Sequence, residues 1–96
     1  MYFIIRFNWD VNNFALTNKK TVGYFRTQID ACDAIIRDLP HDAARNSVAI
    51  VEIAEGIDVW GKTLYVFEQN DAYEGFVPLT IDDPRYNYPI TLTSRN

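Results

Sequence analysis

Apolar positions along the chain switch period twice. Residues 2–8, YFIIRFN, alternate, with Phe3, Ile5 and Phe7 on one side and Tyr2, Ile4 and Arg6 on the other. That period of two predicts a strand whose core face carries Phe3, Ile5 and Phe7. A second strand is expected over about residues 14–25, interrupted near Asn18–Lys20, where Asn-Lys-Lys is turn chemistry. Gly23 within it suggests a bulge or a close contact with a helix. Residues 27–40, TQIDACDAIIRDLP, then change to a helical period. Ile29, Cys32, Ile36 and Leu39 step by three, four and three, and Ala31 and Ile35 widen the stripe. Thr27 suits the N-cap, Asp30 the positive first turn and Arg37 the negative last turn, and Pro40 stops the ladder.

Strand patterns resume after the helix. In residues 48–54, VAIVEIA, every position but Glu52 is apolar, which predicts a central strand buried on both faces. Glu52 either faces solvent beyond the helix or is a carboxylate of raised pKa with a functional role. A loop carrying Trp60, Gly61 and Lys62 precedes the next strand, residues 63–68. Residues 72–81 supply a short edge strand, which Pro78 confines to an edge or ends. The fold class is α+β: a mostly antiparallel sheet of four or five strands in ββαββ order, with one main helix packed on one face. The chain reads as one domain, residues 1–96, with a core over about 2–81. An extended C-terminal tail, 82–96, packs on the body or awaits a partner.

Composition narrows the function more than it identifies it. With 48% hydrophobic and 15% aromatic residues in a chain of 96, a packed core is expected and disorder is not. The single cysteine, Cys32, excludes an internal disulfide and a cysteine-based zinc site. It reads as a buried structural thiol, since Asp30 and Asp33 oppose a thiolate. Net charge is −4 and uneven. Residues 1–48 carry five acids and six bases, and residues 49–96 eight acids and three bases. That balance disfavours direct nucleic-acid binding, which needs clustered Lys and Arg. Met1 leads into an apolar strand with no signal-peptide pattern and no span long enough for a bilayer, so a cytoplasmic protein is expected.

Chemical motifs are absent from the sequence. It holds no GxGxxG, GxxxxGK[ST], GxSxG or HExxH. His41, the only histidine, follows Pro40 in a polar loop and reads as a solvated imidazole. Asp82-Asp83 reads as a turn before Pro84, without the alternating ligands of a calcium loop. No catalytic, cofactor or metal site is therefore assigned, and the protein is expected not to be an enzyme.

Surface aromatics remain. Trp9 and Phe14 on the first hairpin, Trp60, and Tyr73, Tyr86 and Tyr88 in the last third are interspersed with Glu74, Asp82 and Asp83. Trp and Tyr dominate binding hot spots because they bury much area at little entropic cost. These nine residues are the partner-binding candidates, and their mixed aromatic and acidic character fits a protein partner with a basic face. The alternative is a small oligomeric domain that binds a small molecule or catalyses one reaction between subunits, through Glu52, His41 and sheet-face tyrosines. A structural subunit that docks through its tail is a third option.

The run VGYFRTQIDACDAIIRDL, followed by VAIVEIAEG and GKTLYVFEQN, resembles small bacterial and phage proteins of unknown function with a capped helix between two hairpins. The likeness covers about residues 20–70. It implies the ββαββ order and, for some members, inhibitory binding to a host protein or nucleoprotein complex such as a defence system. It transfers no residue role.

Overall fold

The computed structural model describes residues 1–53, 60–70, 75–87 and 90–91. Within them the chain runs β1 (Tyr2–Asp10), β2 (Ala15–Phe25), α1 (Gln28–Arg37), β3 (Ser47–Glu52), β4 (Trp60–Asn70), β5 (Gly75–Pro78) and a two-residue β6 (Ile90–Thr91). The strands form one antiparallel sheet in the order β2-β1-β3-β4-β5, and β6 pairs with the start of β4. The α+β class and the antiparallel sheet match the sequence pattern. The order ββαββ does not, because a further strand, β5, follows β4 as ββαβββ. The expected edge strand forms there and ends at Pro78, which has no N–H to continue the ladder.

β3 is the middle strand of five, and residues 47–51 are all buried. Its neighbour β1 is also internal, so both of its faces are covered. Ile4 joins Val48, Ile50 and Phe67 beneath Ala31 and Ile35 of the helix. Ile5 and Phe7 join Ala49, Val51 and Val66 on the opposite face. The alternation in β1 was therefore a partition between two cores, not between core and solvent. The second core is closed by Leu79 and Tyr86, with Trp9, Leu16 and Ile53 at its margin. Residues 79–87 pass under β4, where the Leu79 N–H donates to Val66 O at 2.8 Å and Pro84–Asn87 make a 3-10 turn. This part of the tail is a compact turn rather than an extended segment.

The helix begins and ends where its caps dictate. Thr27 Oγ1 accepts from the Asp30 N–H at 3.2 Å, and the Asp38 N–H donates to Ala34 O at 3.0 Å. Its buried face differs from the expected stripe. Ala31 and Ile35 are fully buried, with Cys32, Ala34 and Leu39 flanking them. Ile29 and Ile36 are 73% and 65% exposed. Only Arg26 and Thr27 separate β2 from α1, so the connection leaves little freedom to rotate the helix about its axis. The small Ala31 also lets the helix lie close to the sheet. Cys32 is half-buried at the edge of this core rather than buried, and burial, then the Asp33 charge, push its thiol pKa up.

One further sequence expectation changes, and the irregularities expected in β2 appear. Trp60, Gly61 and Lys62 are not in a loop but open β4, where Lys62 lies opposite Glu52 and Gly61 opposite Ile90. Gly61 is required there, because a Cβ would sit 2.0 Å from Val51 Cγ1. In β2 the register with β1 shifts twice, between the Thr17 and Lys20 pairings and between the Thr21 and Gly23 pairings. The first shift is the interruption expected near Asn18–Lys20, and Asn18 adopts φ 56°. The second shift falls at Gly23 and is the bulge expected there, and the close neighbour of Gly23 is the Phe25 ring rather than the helix.

Candidate functional site

The first hairpin turns through residues 11–14 and is held by one side chain. Asp10 Oδ1 accepts from the N–H groups of Asn12 and Asn13 at 3.0 and 3.3 Å, and Oδ2 accepts from Asn13 Nδ2 at 2.8 Å. Asp and Asn favour this local turn because a short side chain can reach its own following backbone. Those bonds, the Asn13 side chain first, hold the Asp10 carboxyl below the usual carboxylate range. Phe14 closes the loop at φ 49°. That left-handed region costs a non-glycine residue about 1 kcal/mol and usually falls to Gly or Asn. Its ring is 53% exposed and meets Trp9 edge to face, with centroids 6.0 Å apart and planes at 76°. Trp9 is half-buried on the second core and anchors the pair. Val11, also exposed, lies beside them in the same loop.

A second feature lies under the C-terminal end of α1. A pocket of about 530 Å³ opens between the helix, β2 and the loop 40–45. Arg6, on β1, lines it and is 3% exposed. Its Nε donates to Arg45 O at 3.1 Å, its Nη1 to Pro40 O, and its Nη2 to Gln69 Oε1 at 2.8 Å. Its guanidinium carbon lies 5.1 Å from the centroid of the Phe76 ring. Burial pushes the Arg6 pKa below its ordinary value; the Asp42 charge opposes this and Arg45 adds to it. Arg45 ties the loop to the β2 bulge, donating from Nε to Asn18 O at 3.0 Å and from Nη1 to Asp42 Oδ2 at 3.1 Å. Partial burial opposes ionisation of Asp42, but the bonds from Arg45 and the Ala44 N–H outweigh it and hold the pKa low.

The nine partner-binding candidates fall in different places. Trp9 and Phe14 are brought together at the hairpin tip. Tyr86 donates its hydroxyl to Leu79 O at 2.9 Å and packs on the second core. Asp83 binds Arg85 with both oxygens, at 2.9 and 3.1 Å. Asp82 is exposed and accepts from the Thr80 hydroxyl. Trp60 is placed by its backbone at the start of β4. Tyr73, Glu74 and Tyr88 lie outside the described residues. Of the alternative's polar groups, His41 lines the pocket, while Glu52 ends β3 outside that lining, in register with Tyr2 and Lys62.

Sequence reasoning did not single out Arg6, Lys20 or Arg45. A signal for Arg6 was present: it is the one charge among residues 2–9, amid a largely apolar stretch. Lys20 and Arg45 carry no such signal, because their proximity to Arg6 depends on register and on a loop. Among the described residues no group of three or more His, Cys, Asp or Glu side chains is placed to hold a metal ion. No described helix is long and apolar enough to cross a membrane. No family model, curated protein or solved structure matches the chain.

Proposed function

We propose that the protein is a non-enzymatic binding protein whose first hairpin tip docks on a larger protein. The observation that carries this reading is Phe14, an exposed aromatic side chain held in a left-handed backbone conformation. A strained backbone persists where its surroundings over-determine it, and such positions cluster at binding sites. Asp10 and Trp9 supply that determination here. A ring already fixed in its bound orientation costs less to immobilise on binding. Val11 and Phe14 form the apolar centre and the ionised Asp10 the polar edge, which suits a partner surface that is apolar with a basic rim. An inhibitor of a host complex would use the same contact.

Phe14→Gly tests this directly. Glycine relieves about 1 kcal/mol of left-handed strain and gives up an aromatic contact of similar size, so stability in urea should change little. Affinity pull-down from host lysate with the full chain should capture a partner that the variant loses, with capture falling as salt rises. Equal capture by both proteins, or recovery of the bait alone, would refute the proposal. The pocket favours the second reading, small-molecule binding.

A further inference from the structure

The pocket beside Arg6 is chemically lopsided in a way that specifies a ligand. Its volume, about 530 Å³, lies within the range of small-molecule sites. Ile4 and Phe25 give it an apolar floor, and Val22, Ala34 and Leu39 line it further. Its cations come from three segments. The β1–β2 register sets Arg6 directly opposite Lys20, and both line the pocket. Like charges facing each other across an antiparallel pair are unfavourable, and an intervening anion reverses that sign. Arg45 contributes a third cation, already matched by Asp42 at 3.1 Å. Arg6 is buried against neutral oxygens only, and its three bonds use three of the five guanidinium N–H groups. The remaining acid in the lining is Asp38, beside the negative end of α1.

We infer that this pocket binds a small amphipathic carboxylate, with its apolar body on Ile4, Val22, Phe25 and Leu39 and its carboxylate between Lys20 and Arg6. A monoanion fits better than a phosphate dianion. Only one cation is in excess once Arg45 pairs with Asp42 and Asp38 is counted, and the helix C-terminus repels further negative charge. A planar carboxylate also matches the fork of an arginine and can take a second bond from a lysine. The inference draws on no residue of the hairpin tip and stands whether or not that tip binds a protein.

Octanoate is the probe, with octanol and octylamine as controls of equal apolar length, titrated into the isotope-labelled full chain and followed by amide NMR shifts. Octanoate should saturate shifts at Ile4, Val22, Phe25 and Leu39, with octanol and octylamine each weaker by about tenfold or more. Lys20→Ala, a change on the exposed edge strand, should weaken octanoate about tenfold while the remaining spectrum stays folded. Val22→Trp, which fills the pocket without touching a charge, should abolish the shifts. No saturable shift at these residues would overturn the inference. So would equal binding of octanol, tighter binding of octylamine, or an unchanged affinity in Lys20→Ala.

Discussion

Among the described residues two arginines are buried, one against each face of the sheet, and they are satisfied in opposite ways. Arg85, 8% exposed, lies beneath the second face. Asp83 takes its Nε and Nη2, Ser47 Oγ accepts from Nη1 at 3.0 Å, and Glu68 lies 3.6 Å away. Burial alone would lower its pKa, but the bonds and charge of Asp83, with Glu68 behind them, raise it. Arg6, beneath the helix face, meets two backbone carbonyls, an amide oxygen and an aromatic ring, and its pKa is lowered. The first arrangement is a completed ion pair that clamps residues 79–87 to β3 and β4. The second is a cation held in place but not neutralised, at the edge of an open pocket. A buried ion pair broken at one end strands a charge, whereas a cation on neutral acceptors strands only polar groups.

That difference should appear in stability. Asp83→Ala leaves Arg85 buried without its main partner and is expected to cost about 3 kcal/mol in urea denaturation. Arg6→Met keeps the apolar stem and removes the charge, leaving the Pro40, Arg45 and Gln69 oxygens short of one donor each. Its expected cost is smaller, about 1–2 kcal/mol. If Arg6→Met proves the costlier substitution, the contrast between clamp and pocket fails.

Acid titration sharpens the same contrast. The Asp83 carboxyl is held below its ordinary pKa, first by the side-chain bond from Arg85. A carboxyl with a depressed folded pKa contributes stability that is fully present above its unfolded pKa of about 3.9 and is lost as pH falls through the folded value. The wild-type protein should therefore lose stability as pH drops below about 4, and Asp83→Asn should lose less over that interval. Identical acid limbs for the two proteins would show that the clamp does not contribute at neutral pH.

The fold was largely legible because its strongest constraints are local. Thr27, Asp30, Arg37 and Pro40 delimit α1, and the apolar run that starts at Val48 identifies the central strand. The pairing of Trp9 with the exposed Phe14 was legible for the same reason, since Trp9, Asp10 and Phe14 lie within one hairpin turn. The Trp60 segment was misread as a loop because Gly61 there serves a close sheet contact, not a turn.

What the sequence determined by itself was periodicity, caps and turns, each set by neighbours a few residues apart. It offered two overlapping stripes on α1, and only docking chose Ala31 and Ile35 over Ile29 and Ile36. It offered six bases in the first half, and only the register of β1 with β2 placed Lys20 opposite Arg6. Charge pairing across strands, the rotation of a helix on a sheet and the volume of a pocket are relations between distant segments. They are fixed when both faces of β1 must be covered at once, and no local pattern encodes that requirement.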